Sequence, residues 1–423
     1  MLSNRALAHL EKLMTLKRVV SAFTLAMAVA SVASAAPAWK PDVYYTAGTV
    51  VTYNGADYVA LVNQVDYTGT GWNPLTASLW APANGNTTPP PSTTPTPPTT
   101  PTPPTTPTPP SNPLPPPTGL LFSPYKDITI SMNWNTNVIS SSVTGSLQPV
   151  LNVMPTNLAA LTWGFATGEC GSENWAGLPG ASVAAANVQN FVSMGRYYIL
   201  STGGAAGSFT CATDAGFDTF IRRYNSSSLL GVDFDIEAGQ SAATIASLIE
   251  RVKFAQRAYP KLRFSFTIAT LGGNSPQSLG PTGITVMNAI RSSGLSGYTI
   301  NLMTMDYGST TPTNCVVVGG KCDMAQSAIA AAENLHAYYG VPYNQIEVTP
   351  MIGGNDTIDE TFTLGNVPTL TDYVLQKKLA GLHFWSFDRD TDCAPGYASP
   401  ICNSYGTAGR LGFTTRFLSA LGR

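Results

Sequence analysis

A run of Pro, Thr and Ser at residues 85–118, in which PTPPTT recurs, limits what the rest of the chain can form. Proline fixes its own backbone angle and has no N–H to donate, so such a run favours extended polyproline II over a helix or sheet. About thirty residues at about 3.1 Å each extend over roughly 100 Å. The run predicts a linker between two separately folded parts, residues 36–84 and 119–423.

The first residues predict an export signal. Lys17 and Arg18 precede an apolar segment, 19–32, and three small residues that end at position 35. This is the pattern of a signal peptide, and the apolar segment is too short to span a membrane. We expect residues 1–35 to be removed and the mature protein to be secreted, extracellular and free of the membrane. The candidate start codons are Met1 and Met14.

Composition argues against a nucleic-acid partner. Only 11% of the 423 residues are charged, the formal net charge is −2, and the sequence has no long run of Lys or Arg. Phosphate binding depends on clustered positive charge. The hydrophobic content of 43% allows a sizeable core, and the length allows two or three domains. We expect a monomer.

All six cysteines lie within residues 119–423, and an even number in an exported chain indicates disulfides. Six cysteines allow fifteen pairings. Pairing of close neighbours would close two short loops and leave one longer bridge: Cys315–Cys322, Cys393–Cys402 and Cys170–Cys211. A zinc site is the alternative, but the chain has no CxxC, and after residue 35 its only histidines are His336 and His383. We therefore expect neither a metal nor a cofactor.

Residues 36–84 predict a small all-β module. YYTAGTVVTYNGADYVAL alternates around Asn54-Gly55, the signal of a two-residue hairpin. The segment holds eight Trp and Tyr residues, more than so small a domain can bury. Trp72 lies among turn residues in TGTGWNPL, where a large side chain projects outward and can stack on a sugar ring. The alternative is that all eight belong to the core.

This module resembles the chitin-binding modules of carbohydrate-binding module family 12 and the related family 5. The matching residues are the opening Ala-Trp, Tyr-x-Ala-Gly-x-x-Val-x-Tyr-x-Gly, Gly-Trp-x-Pro and the closing Trp. The resemblance implies that Trp72 stacks on insoluble chitin and that Trp39 and Trp80 are mainly structural. Family 5 members often carry paired tryptophans where this chain has residues 61–63, so the module is more similar to family 12.

Residues 119–423 alternate between strand-like and helical patterns. Eight apolar runs predict strands at 128–134, 158–165, 196–201, 229–237, 263–271, 298–307, 346–352 and 381–387. Helical patterns between them include 241–260, 327–340 and 371–379. Eight such repeats in this length predict an α/β fold, a (β/α)8 TIM barrel whose active site lies at the C-terminal ends of the strands.

The predicted fourth strand, LLGVDFDIE, carries acids at alternate positions: Asp233, Asp235 and Glu237. Alternate residues share one face, which in a barrel is the lumen, with Glu237 nearest the active-site mouth. Burial and neighbouring like charges raise the pKa of a carboxyl group, so Glu237 is a candidate general acid. A hard-cation site and a purely structural cluster are the alternatives.

Three other predicted strands end in residues that could form a site together with the acids of the fourth strand. The third ends in Ser201-Thr202-Gly203-Gly204, where glycines allow close backbone approach. The sixth ends in Met303-Thr304-Met305-Asp306-Tyr307, and the eighth holds Trp385. Each alone could be a turn, a strand cap or a core indole. Together at one rim of a barrel they indicate a functional site.

This constellation resembles glycoside hydrolase family 18, the chitinases and related endo-N-acetylglucosaminidases. The family's Asp-Gly-x-Asp-x-Asp-x-Glu corresponds to residues 230–237, its Ser-x-Gly-Gly to 201–204 and its Met-x-Tyr-Asp to 303–306. Two positions depart from the family: Leu230 replaces the first Asp, and Met305 replaces the Tyr.

The resemblance implies a role for each residue. Glu237 would be the acid/base, Asp235 would hold the N-acetyl group of the sugar, and Asp233 would modulate that pair. Asp306 would contact the same group, and Tyr307 would replace the missing tyrosine. The residues implied to line the substrate site are Ser201, Gly203, Gly204, Met303, Met305 and Trp385.

The resemblances together imply a secreted, endo-acting chitinase for chitin and chitooligosaccharides. The segment 353–380, with 28 residues, leaves no room for the extra α+β insertion that deepens the cleft of some chitinases. The alternatives are an endo-β-N-acetylglucosaminidase acting on glycans and a catalytically weak chitin-binding protein. The chitin-binding module argues against the first, and the presence of Glu237 argues against the second.

Overall fold

A computed structural model of the chain describes residues 36–41, 43–46, 48–61, 64–66, 73–76, 79–83, 119–237, 240–396 and 398–423. They divide into an N-terminal and a C-terminal compact unit. The predicted leader, the predicted linker and Trp72 lie outside the described residues. Within these residues, no helix combines the length and apolar character needed to cross a membrane.

The N-terminal unit is built from short antiparallel strands. Val50–Tyr53, Ala56–Ala60 and Trp80–Pro82 form a three-stranded sheet, and Tyr44–Tyr45 pairs with Gln64–Val65. The predicted hairpin is confirmed. Asn54 and Gly55 have φ angles of 49° and 80°, the left-handed values that a tight two-residue turn requires.

Two tryptophans of this unit share one acceptor. The indole N–H groups of Trp39 and Trp80 donate to Oδ2 of Asp66, at 2.7 and 2.9 Å. Asp66 is fully buried, and Trp80 packs in the core with Tyr45 and Val51. Both indoles are therefore held by structural contacts, which is the role that the resemblance implies for them.

The C-terminal unit is a barrel of parallel strands. Strand β1 has two segments, Leu121–Phe122 and Tyr125–Asp127, and the others are β2 (Ala160–Ala166), β3 (Tyr197–Gly203), β4 (Leu229–Asp235), β5 (Arg263–Ala269), β6 (Thr299–Met303), β7 (Ile346–Thr349) and β8 (Gly381–Leu382). Each strand pairs with the next in parallel register. The sheet closes because one segment of β1 pairs with β8 and the other pairs with β2.

A helix follows each strand. They are α1 (Val150–Val153), α2 (Gly180–Ser193), α3 (Asp214–Tyr224), α4 (Ala242–Ala258), α5 (Pro281–Ser293), α6 (Met324–Tyr339), α7 (Asn366–Lys377) and α8 (Gly412–Ala420). Side-chain oxygens of Thr213, Ser241 and Asp323 accept a backbone N–H at the starts of α3, α4 and α6, which satisfies donors that a helix leaves free. The predicted TIM barrel is confirmed.

The remaining regular elements lie in the loops. The short strand pairs are Ser140–Ser141 with Gln148–Pro149, Gly168–Glu169 with Phe209–Thr210, Asn174–Trp175 with Leu178–Pro179, Val317–Val318 with Lys321–Cys322, and Gly353–Gly354 with Thr361–Phe362. Two 3₁₀ turns are Tyr343–Gln345 and Phe387–Arg389.

The prediction for the first strand was wrong. Residues 128–134 form turns, with N–H to C=O bonds from Ile130 to Asp127 and from Met132 to Thr129. The strand lies earlier, at 121–127, and Pro124 interrupts it. A proline inside a run argues against a strand, but here the Pro124 carbonyl still accepts the N–H of Thr162 at 2.9 Å.

Three disulfides close loops of this unit. They join Cys170 to Cys211, Cys315 to Cys322 and Cys393 to Cys402, as the sequence spacing predicts. Apolar residues on the outward face of the strands, including Val232, Phe234 and Ile236 of the β4 segment, belong to one large buried core. The acids Asp233 and Asp235 lie on the opposite face of β4, which points into the lumen of the barrel.

Candidate active site

The β4 acids lie where period-two alternation predicts. Asp233 and Asp235 are buried, with 2% and 5% of their surface exposed, and Glu237 is half-buried just beyond the end of the strand. Leu230 is half-buried and packs with an apolar cluster that includes Leu121 and Ile199. A shift in β3–β4 register falls at Leu230, so alternation does not carry from the acids to this position.

Four hydroxyl groups converge on Asp233. They belong to Tyr125 (2.9 Å) and Ser201 (2.6 Å), which donate to Oδ2, and to Ser265 (2.6 Å) and Thr267 (2.7 Å), which donate to Oδ1. A carboxylate that accepts four hydrogen bonds has both oxygens fully used, which is the pattern of an ionised group. Asp233 is therefore fixed in place.

The amide of Asn301 sets the direction of this network. Its Nδ2 donates to the hydroxyl oxygens of Tyr125 and Thr267, both at 2.9 Å, and its Oδ1 accepts from Thr349 at 2.8 Å. An oxygen that accepts from an amide keeps its own proton for another partner. Both hydroxyls lie within hydrogen-bond distance of Asp233, and they are also 3.0 Å from each other.

Asp235 is held far less tightly. Its Oδ1 is buried and has no hydrogen-bond partner among the described residues. Burial, and then the charges of Glu237 and Asp233, raise the pKa of Asp235 well above its usual value. Asp233 and Asp235 lie two positions apart in β4 but differ in their contacts. Asp233 accepts four hydrogen bonds, whereas Oδ1 of Asp235 accepts none among the described residues.

Glu237 lies at the rim with a raised pKa. Burial is the larger cause, and the charge of Asp306 at the end of β6 is the second. Burial also raises the pKa of Asp306, although the N–H of Thr357 and the charge of Arg389 act in the other direction. The charge of Asp306, after the end of β6, thus acts on the pKa of Glu237, after the end of β4.

The other predicted residues of the β6 end differ in exposure. Met303 and Met305 are half-buried. Asp306 has a left-handed backbone, with φ at 50°, and its Oδ1 accepts the N–H of Thr357 at 3.0 Å. Tyr307 is only 2% exposed and belongs to the hydrophobic core. This position gives no support to Tyr307 as a replacement for the missing tyrosine.

The glycines after β3 allow close packing against β4. A side chain at Gly203 would place its Cβ 2.1 Å from the backbone oxygen of Asp235, and the N–H of Gly204 donates to the same oxygen at 3.1 Å. At Gly204 a Cβ would meet the ring of Phe165 at 3.0 Å. The predicted close approach of the backbone is thus present, and it fixes the upper end of β4.

Three aromatic rings form one cluster beside the acids. The ring centroid of Trp385 lies 5.7 Å from that of Phe165 and 6.3 Å from that of Tyr125. Since the hydroxyl of Tyr125 bonds Asp233, the cluster adjoins the acid row. Trp385 is half-buried, and its backbone pairs with Met351 beside β7.

Sequence reasoning missed several residues of this site. Tyr125 was missed because the first strand was misplaced, and Phe165 because it resembles any strand residue. The alternating Ser265 and Thr267 of β5, in RFSFTIA, were the available signal for polar residues on the lumen side. Asn301 lies two residues before Met303, and only its contacts distinguish it.

The described side chains that lie close enough together to share a metal ion are outside the row of β4 acids. Among the described residues, the group of acidic, histidine or cysteine side chains close enough to share an ion is Glu169, Cys170 and Cys211. Its two sulfurs form a disulfide, so they are not available as thiolate ligands.

Comparison with known proteins gives relatives for both units. The family model of carbohydrate-binding module family 5/12 matches residues 38–81. The "Probable bifunctional chitinase/lysozyme" of Escherichia coli is 24% identical over 389 residues, 84% of this chain and 38% of that protein. Endochitinase 11 of Metarhizium anisopliae is 23% identical over 388 residues, 85% of this chain and 65% of that protein. This chain thus spans less than two thirds of either relative.

A solved structure is also similar to the barrel. It is the catalytic domain of a hyperthermophilic chitinase from Pyrococcus furiosus, with a TM-score of 0.57 and 27% identity, covering 73% of this chain and 96% of that one. The barrel of this chain, with its row of acids at the end of β4, is thus similar in fold to the catalytic domain of that chitinase, and residues 38–81 match the family 5/12 model.

Replacing Asp235 by Asn should stabilise the protein in a pH-dependent way. The folded state raises the pKa of Asp235, so its ionisation destabilises the fold as pH rises through the folded value. We expect the Asn variant to have a higher free energy of unfolding than the wild type near pH 8 and to gain much less near pH 4, where the carboxyl group is protonated. Urea unfolding at both pH values measures the difference.

Asp233→Asn is the matched control. Its amide nitrogen would face hydroxyl donors, so this variant should lose stability at both pH values. A loss of stability in Asp235→Asn near pH 8 would contradict the environment described for Asp235.

Proposed function

We propose that this protein is a secreted, endo-acting chitinase that hydrolyses β-1,4 linkages between N-acetylglucosamine units. The observation that carries the proposal is the environment of Glu237. It is half-buried at the end of β4, next in the acid row to Asp235, and its pKa is raised by burial and by Asp306. A carboxyl group that keeps its proton toward neutral pH can act as a general acid.

In the proposed reaction, Glu237 gives its proton to the glycosidic oxygen. The carbonyl oxygen of the sugar's own N-acetyl group attacks the anomeric carbon as the bond to the leaving sugar breaks. This forms an oxazolinium ion and leaves Glu237 as a carboxylate. Glu237 then takes a proton from water, which attacks the same carbon and restores the N-acetyl group with retained configuration. No second nucleophilic acid is needed in such substrate-assisted enzymes.

The contrast between Asp233 and Asp235 supports this mechanism. Asp233 accepts four hydrogen bonds and cannot turn without breaking them. Asp235 has an unpartnered oxygen, so it is the acid free to turn toward Glu237 and stabilise the positive charge of the oxazolinium ion. We assign the N-acetyl contact to Asp235 and Asp306 and leave Tyr307 in a structural role.

The remaining predicted residues would shape the binding site. Trp385, stacked on Phe165, offers an apolar face as the floor beneath the reacting sugar. Ser201, Gly203 and Gly204 would act through the acids of β4 that they contact. Half-buried Met303 and Met305 would line the same mouth.

Endo action is supported by the β7–β8 connection. Residues 353–380 contain one short strand pair and helix α7, with no inserted domain among them. Without such an insertion the groove is open along its length, which suits attack within a chain. We propose that residues 36–84 attach the enzyme to insoluble chitin through Trp72.

We also propose that residues 1–35 are a signal peptide, that 85–118 are the linker and that 119–423 are the catalytic domain. Three disulfides support an extracellular location, because such bonds persist in oxidising environments.

Glu237→Gln should abolish hydrolysis while leaving attachment intact. Gln keeps the shape of Glu237 but cannot donate the proton, so we expect kcat on a chromogenic chitin oligomer to fall by about 10²- to 10⁴-fold. Pull-down on insoluble chitin should be unchanged. Glu250→Gln, on the exposed part of α4, is the matched control and should keep full activity. Activity retained by Glu237→Gln would rule out the mechanism.

Endo action predicts a mixed product pattern from a chitin hexamer. Internal cuts should release dimer, trimer and tetramer together from the earliest times, as followed by chromatography. The products should first appear as the β anomer, since the mechanism retains configuration. Release of one product length from a chain end would contradict the endo assignment.

Trp72→Ala should weaken attachment without slowing cleavage of soluble oligomers. Loss of a stacking indole should reduce binding to insoluble chitin by about tenfold, and Trp72→Phe should restore part of it. A depletion assay on chitin particles measures this. Unchanged binding of the Ala variant would show that Trp72 does not stack on the polymer.

A further inference from the structure

Glu360, in the loop between β7 and α7, is a fully buried acid that contacts the β6 end. Its Oε2 accepts the backbone N–H of Tyr307 at 3.0 Å. The carboxylate is thus bonded to the peptide group directly after Asp306.

The backbone around these groups has an unusual conformation. Asp306 and Gly308 both have positive φ, at 50° and 83°. Tyr307, the residue between them, donates its N–H to the carboxyl group of Glu360. A left-handed Asp persists only where its surroundings hold it.

The same loop also holds the side chain of Asp306. Thr357 donates its N–H to Oδ1 of Asp306 at 3.0 Å, and Asn355 Oδ1 accepts the N–H of Asp306 at 3.4 Å. The loop is closed by its own bonds, from Glu360 N–H to the Thr357 carbonyl and from Asn355 N–H to the Glu360 carbonyl. One loop therefore fixes both the backbone and the carboxylate of Asp306.

We propose that Glu360 is a positioning residue for the acids of the site: its side chain accepts the N–H of Tyr307, its loop binds the carboxylate of Asp306, and together these bonds keep Asp306 in place at the barrel mouth. This assignment rests on the proposed function, because it concerns the group that tunes the general acid. Glu360 acts only through Asp306 and does not contact the sugar.

Several groups around Glu360 affect the pKa of its carboxyl group. Its pKa is raised to about 7, because burial, the largest cause, and the charge of Asp306 outweigh the opposing hydrogen bond from the backbone N–H of Tyr307. The phenol of Tyr307 faces it, and the Cys322 sulfur lies 4.0 Å from Oε1. Arg389 and Asp356 act on Asp306 rather than on Glu360 itself.

The test is the pH dependence of kcat and kcat/KM in Glu360→Gln, measured on a soluble chromogenic chitin oligomer. Gln keeps one acceptor oxygen but removes the negative charge and brings an NH₂ group into the loop, so the bond to the N–H of Tyr307 should weaken and Asp306 should lose its position. We expect kcat to fall by about 10- to 100-fold with a smaller change in KM, since the geometry of a group near the reaction is disturbed. The alkaline limb should move to lower pH, because Asp306 would no longer raise the pKa of Glu237.

Two further variants separate positioning from stability. Glu360→Asp keeps the charge but is one carbon shorter, so it should give an intermediate kcat, and it carries the test if the Gln variant does not fold. Glu173→Gln removes another buried carboxylate, which pairs with Arg223. It should lower the thermal midpoint and leave the alkaline limb unchanged.

The outcomes also distinguish this inference from the proposed function. If Glu237→Gln is inactive but Glu360→Gln keeps the wild-type kcat and alkaline limb, the positioning role is wrong. The role is equally wrong if Glu360→Gln loses activity only in proportion to its loss of folded protein. If Glu237→Gln remains active, the proposed function itself fails.

Discussion

The carboxylate of Asp233 is buried at the centre of the barrel, and its hydrogen bonds depend on hydroxyl groups from three other strands. Tyr125 comes from β1, Ser201 from β3, and Ser265 and Thr267 from β5. Burying an unpaired charge is costly, so these donors must arrive together. Through Asn301 the network continues into β6 and β7. The closed sheet therefore has a register that is set by polar contacts in its lumen as well as by the apolar core outside.

Hydrogen bonds within the barrel use both oxygens of Asp233, whereas Asp235, the next acid of the row, has an oxygen without such a bond among the described residues. Asp235 has a buried oxygen with no described partner, and Asp306 adopts a left-handed backbone. Both features reduce the stability of the fold, and both lie toward the mouth of the barrel. The proposed reaction needs one carboxyl group there that can rotate and another that raises the pKa of its neighbour. The saturated network around Asp233 makes this possible, because a rigid lower layer supplies a fixed negative charge against which the pKa of Asp235 rises.

Local pattern was enough to predict much of the fold and the acid row. Alternation in LLGVDFDIE places three carboxylates on one face whatever the neighbouring strands do. The same count fails at Leu230, because a shift in β3–β4 register interrupts the alternation there. The first strand was misplaced because Pro124 interrupts it, and the alternating run after it looked more regular. Local pattern does not show that a proline is tolerated when only its carbonyl pairs.

The rest of the site depends on contacts between distant positions. Tyr125 is 108 residues from Asp233, and Asn301 is 176 residues from Tyr125. Nothing in the identity of a tyrosine or an asparagine reveals that the first donates to a buried acid and the second to that tyrosine. Glu360 is harder still to find, since its bond to the N–H of Tyr307 forms only once the backbone of residues 306–308 is folded. Sequence thus reveals the charges that the chemistry requires, whereas the groups that hold those charges become visible only when the loops are folded against one another.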